Sequence, residues 1–154
     1  MSDEKQMIIP KEAEEKAWEI ARWMNKKDQI AVNFGMKVLN VKPGSCVVEM
    51  KVTEKMLNAV GITHGAVTYA LADFAFAVAS NSHGQVAVAL NAQIHYPAPS
   101  KAGDILRATA TEETKSRRTA IYRIEVKRAD GTLVGLFTGT VFRRDDRVEQ
   151  WMKD

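Results

Sequence analysis

The stretch GITHGAVTYALADFAFAVASNSHG, residues 61–84, is apolar on nearly every side yet carries a carboxylate, Asp73, at its middle. A charge placed there has two uses. It can be a structural group satisfied by an arginine or by backbone amides, the commoner fate of a lone buried Asp. It can also be a general base or nucleophile tuned by partial desolvation. No Lys or Arg lies within a turn or two of Asp73 along the segment, so a basic partner would have to come from another element.

The start of the same stretch offers a second kind of chemistry. Helix propensity is good from Ala66 onward, with Thr63 as the expected N-cap and Asn81–Gly84 as the end. The amides of Gly65 and Ala66 would then leave a helix N-terminus, where the dipole favours negative charge. Two small residues leave that backbone open to a ligand oxygen, as an oxyanion site needs. Asp73 is eight residues beyond Gly65, so the two stand about 12 Å apart along a helix axis. A reacting carbonyl carbon must sit within about 3 Å of both the attacking group and the oxyanion donors. One straight helix cannot meet that condition. If both features serve one site, the amide comes from one subunit and Asp73 from another. The residues a turn or two from Asp73 are Ala66, Tyr69, Ala70, Phe76, Ala77 and Ser80, mostly small, which suits the close approach of a second helix or a ligand.

The elements that must position these groups follow from hydrophobic period. Residues 10–27 read as an amphipathic helix, with Glu12, Glu14 and Glu15 near its start and Arg22, Lys26 and Lys27 near its end. From Asn33 the pattern alternates, Pro43-Gly44 marks a turn, and Cys46, Val48, Met50 and Val52 face one side of a strand. Four further strands are expected at 85–96, 104–114, 117–127 and 132–143, with Asp130-Gly131 as a hairpin turn. In the central helix Val67, Leu71, Phe74 and Val78 form a bulky stripe for the concave face of the sheet. Helix, two strands, long helix, four strands: hairpin-length connections imply an antiparallel sheet and an α+β class. The expected organisation is an N-terminal helical extension over 1–32, one domain over 33–144 and a tail over 145–154.

Composition bounds the function. At 154 residues, 45% apolar and 27% charged, the chain fits one globular domain. A net charge of +3, evenly spread, permits an anionic small ligand but does not suggest nucleic acid. Cys46 has no cysteine to pair with and indicates a reducing compartment. The opening MSDEKQMIIP is acidic at positions 3 and 4 and reads as no signal peptide. The longest apolar run, 66–79, is too short to span a bilayer and contains Asp73. A cytoplasmic protein with no membrane partner is expected. Three histidines and one cysteine, dispersed, give no metal site.

Asn58, His64-Gly65, Leu71-Ala72-Asp73, Ala75-Phe76-Ala77 and Asn81-Ser82, taken together, resemble the hotdog-fold acyl-CoA thioesterases of the phenylacetate-degradation type. Their motif is His-Gly-Gly at the start of the central helix and an Asp eight residues after the first Gly; the likeness runs from about Phe34 to Arg143. The resemblance implies a curved antiparallel sheet wrapped around the long helix. It also implies sheets joined edge to edge in a dimer, and two dimers in a homotetramer. Asp73 would act as general base or nucleophile on a thioester, the partner's Gly65 amide would polarise the carbonyl, and Asn58 and His64 would orient the site. No cofactor is implied. The second Gly of the motif is Ala66 here. Where some relatives place a Ser or Thr to hold the attacking water, residues 87–91 offer only Asn91.

Other residues have two readings. Lys115, Arg117 and Arg118 join two strands, either as a solvated turn or as a cation cluster for coenzyme A phosphates, with Arg143 and Arg144 nearby. Tyr69 and Phe76 could line an acyl pocket, whereas Phe74 on the bulky stripe suits the core. His83 and His95 read as solvent or sheet residues, and His64 as a positioning group. Besides thioester hydrolysis, two other functions fit the same fold. One is a non-catalytic acyl-CoA binding or sensing module, for which residues 1–32 provide only one helix and no DNA-binding segment. The other is a dehydratase, which would need a catalytic histidine within reach of the carboxylate.

Overall fold

The computed structural model describes residues 8–153; residues 1–7, read above as no signal peptide, and residue 154 lie outside them. The elements run α1 (Lys11–Lys27), α2 (Gln29–Asn33), β1 (Lys37–Lys42), β2 (Ser45–Lys51), α3 (Gly65–Asn81), β3 (Gln85–His95), β4 (Ile105–Lys115), β5 (Thr119–Arg128) and β6 (Leu133–Arg147). One antiparallel sheet orders them β1-β2-β4-β5-β6-β3, so β1 and β3 are its edges. Helix α3 touches every strand. This is the α+β architecture expected, with α1 as the extra N-terminal helix.

Alternation builds the concave face. Cys46, Val48 and Met50 on β2 and Tyr122, Ile124 and Val126 on β5 are buried, while their neighbours face outward. Where α3 passes, the strands carry small residues: Ala108 and Ala110 on β4, Ala120 on β5, Gly135 and Gly139 on β6. The ring that enters this trough is Phe76. It packs tilted on Phe137 at 5.4 Å and edge-on to Tyr122 at 5.8 Å. Burying a side chain of that kind contributes about 1.5–3 kcal/mol. Phe76 is therefore core rather than acyl pocket. Phe74, also buried, turns towards α2, where it lies beside Asp28 and Ile30. Cys46 donates to the Ala75 carbonyl, and burial pushes its thiol up to about 12, so it is an inert core residue.

Two boundaries differ from the sequence reading. Residues 29–33 form a second short helix, capped by Asp28, which accepts from the Ala31 amide at 2.9 Å, so the first strand starts at Lys37 rather than near Asn33. At the far end β6 continues past Arg143 to Arg147, drawn on by pairing with Gln85 of β3.

Candidate active site

The cap of α3 is His64, not Thr63. Its Nδ1 accepts from the Ala66 amide at 3.0 Å, while Thr63 is buried and its Oγ1 accepts from Ser100 at 2.6 Å. An accepting Nδ1 is unprotonated, so the neutral ring carries its hydrogen on Nε2. The His64 carbonyl takes the amides of Val67 at 2.9 Å and Thr68 at 3.4 Å. Of the four amides in the first turn, only that of Gly65 has no acceptor among the described residues. The Ala66 amide is occupied, so replacement of the second motif glycine removes no free donor. Asn58 shapes the approach: its Oδ1 accepts from Val60 at 3.1 Å and Ile62 at 3.3 Å, folding the loop that leads to His64. Asn58, Thr63, Gly65, Thr68 and Tyr96 line one cleft of about 390 Å³.

Asp73 opens elsewhere. It is half-buried in a cleft of about 190 Å³ with Asp28, Tyr69, Ala70 and Phe74. No arginine, lysine or backbone amide among the described residues holds its carboxylate. Burial pushes the Asp73 carboxyl above the ordinary carboxylate range, and the charge of Asp28 adds to the rise. The structural role that a lone buried Asp commonly has thus lacks its partner within the protomer. The sequence reading does not single out Asp28; an Asp preceding Gln-Ile-Ala-Val is a legible cap, but its proximity to Asp73 is tertiary.

The Gly65 amide and Asp73 carboxylate therefore occupy separate clefts on one helix. Comparisons with known proteins give the family. The family model described as Thioesterase superfamily matches residues 60–135. The acyl-coenzyme A thioesterase PaaI of Escherichia coli is 39% identical over 128 residues, which cover 83% of this chain and 91% of that protein. The chain belongs to the hotdog-fold thioesterase superfamily. It is an acyl-CoA thioester hydrolase of the phenylacetate-degradation type. The structure of E. coli PaaI superposes with a TM-score of 0.86 at 37% identity, covering 88% of this chain and 98% of that one. A phenylacetic acid degradation protein PaaI from Thermus thermophilus gives 0.71 at 50% identity, covering 73% and 96%. A hypothetical thioesterase protein from Streptococcus pneumoniae, solved with coenzyme A, gives 0.76 at 25% identity, covering 80% and 98%.

The remaining expected residues of this thioesterase fall in three places. Ala66 is exposed at the helix start, and Tyr69 lines the Asp73 cleft, edge-on to Phe137 at 5.4 Å. Asn91 is exposed on β3, opposite Thr140 and just past a bulge at Leu90, and lines neither cleft. Lys115, Arg117 and Arg118 sit at the β4–β5 turn, beside the C-terminal end of β6 and far from Gly65. Arg118 is committed to Asp145 at 2.8 Å, whereas Lys115 and Arg117 have no ion-pair partner among the described residues. His83 is not a plain surface histidine. Its Nε2 lies 2.6 Å from Glu112, which also accepts from Tyr122 at 2.6 Å. Burial favours the neutral Glu112 acid, but those two hydrogen bonds outweigh it and hold the carboxyl below its ordinary range.

Proposed function

We propose that this enzyme hydrolyses small or aryl acyl-CoA thioesters at a site shared between two subunits. Asp73 of one protomer acts on the thioester carbon, as general base on water or as nucleophile, and the Gly65 amide of the partner subunit donates to the developing oxyanion. The observation that carries the reading is the Asp73 carboxylate, half-buried beside a second carboxylate with no cation or amide among the described residues to hold it. A raised carboxyl is a better proton acceptor than a free aspartate. The unpaired Gly65 amide supplies the complementary half, since a donor at a helix N-terminus stabilises charge that appears only in the transition state.

Two protomers meet, in this reading, through the free edge of β3. That strand is eleven residues long, has no proline, and exposes Val88 and Leu90. Such an edge demands covering. Pairing two copies extends the sheet and brings the second helix beside the first; two such dimers form the tetramer. Coenzyme A phosphates are bound by Lys115 and Arg117, the two free cations of the β4–β5 turn, while Arg118 holds the turn through Asp145. Asn58 keeps its side-chain NH2 for the substrate, and Asn91 at the paired edge contacts it from the partner side.

The test is thiol release from acyl-CoAs ranging from acetyl through phenylacetyl to long-chain, with wild type and Asp73→Asn side by side. Wild type is expected to turn over the short and aryl members, and Asp73→Asn to lose about 10³-fold or more in kcat while keeping its fold. A folded Asp73→Asn variant with full activity would return the carboxylate to a structural role.

A further inference from the structure

We propose that Tyr96 is a positioning residue for the reaction, holding the first turn of α3 so that the Gly65 amide keeps its aim. The proposal rests on the reading of Gly65 as oxyanion donor. Tyr96 stands just beyond β3, where Pro97 and Pro99 turn the chain away from the sheet. Its hydroxyl donates to the Gly65 carbonyl at 2.8 Å. That carbonyl belongs to the Gly65–Ala66 peptide, whose amide is held by His64 Nδ1 at 3.0 Å. Side chains from two different elements thus clamp one peptide at both ends. The preceding peptide has its carbonyl tied to Val67 at 2.9 Å and its amide, that of Gly65, unpaired. The other three polar groups of these two peptides are each paired, and the donor is left open.

The tyrosine also packs tightly against position 65. A Cβ there would stand 3.2 Å from both Cζ and Oη of Tyr96, closer than ordinary contact. At 50% exposure Tyr96 is not a core filler. Its ring walls the cleft that holds Gly65, Asn58 and Thr68. An oxyanion donor is effective only when its direction is set before charge develops. Loss of the hydroxyl lets the first turn rock, which weakens transition-state contact and leaves substrate binding largely intact.

The experiment is a double-mutant cycle between Tyr96→Phe and Gly65→Pro on the best acyl-CoA substrate. Proline suits the first helical position and removes the amide hydrogen, while its Cβ, 3.2 Å from Cζ and Oη of Tyr96, requires that half-exposed ring to give by a few tenths of an ångström; His64, at ψ 134°, already has the extended backbone a following proline requires. Tyr96→Phe is expected to lower kcat about tenfold with KM within about twofold, and Gly65→Pro about 10²-fold or more. In the Gly65→Pro background Tyr96→Phe is expected to cost nothing further, because the tyrosine acts through that amide. Replacing Tyr96 by 4-aminophenylalanine, which keeps ring and donor, is expected to restore kcat, and decides the matter if the phenylalanine variant folds poorly. Full activity in Tyr96→Phe, a change in KM alone, or an equal loss in both backgrounds would overturn the proposal while leaving the Gly65 reading standing. Full activity in Gly65→Pro would sink both.

Discussion

At the scale of single residues, Asp73 costs the fold stability. Its carboxyl is pushed above the free value of 3.8 by burial and by Asp28, so the folded chain holds that proton more tightly than the unfolded chain. Stability then falls as pH rises from the unfolded value through the folded one, as the half-buried group takes up its charge. Asp73→Asn removes it. The variant is expected to melt higher than wild type at pH 7, each 1 kcal/mol appearing as roughly 2–4 °C in a domain of this size, and the gap is expected to close as pH falls towards 4. Calorimetry of both proteins across that range checks it; a variant less stable than wild type at pH 7 would mean the carboxylate has a stabilising partner after all.

At the scale of elements, the placement of α3 depends on how thin the sheet is beneath it. Gly139 of β6 is pressed by Phe76, and a Cβ there would lie 2.6 Å from the ring. Gly139→Ala is therefore expected to cost about 1–3 kcal/mol by overpacking, measured as a lower denaturant midpoint with unchanged m-value. Most elements were legible because period is a local property: alternation in β2 and β5, turn residues at Pro43-Gly44 and Asp130-Gly131, and an alanine-rich helix with a carboxylate inside. Where the sequence reading missed, a long-range partner had decided. Thr63 is a good cap by type, but Ser100 claims its hydroxyl, and His64 caps instead. The bulky stripe suggested Phe74 against the sheet, yet the glycine that receives a ring lies under Phe76. Tyr96 ends a strand, and nothing local says that a helix N-terminus waits beside it.

At the scale of the whole molecule, Gly65 and Asp73 were legible by type and by spacing, and the structure keeps them in separate clefts on one helix. The proposed shared site adds a second subunit, which neither spacing nor one protomer supplies. The most direct test of that claim mixes two inactive proteins. Asp73→Asn keeps the amide, Gly65→Pro keeps the carboxylate, and each alone is expected to lack turnover. Refolded together in equal amounts, half of the dimers would be mixed, and each mixed dimer would hold one intact site, so about a quarter of wild-type activity should return. If activity stays at the level of the separate variants, Asp73 and Gly65 do not complete one site across two subunits, and the shared-site account is wrong.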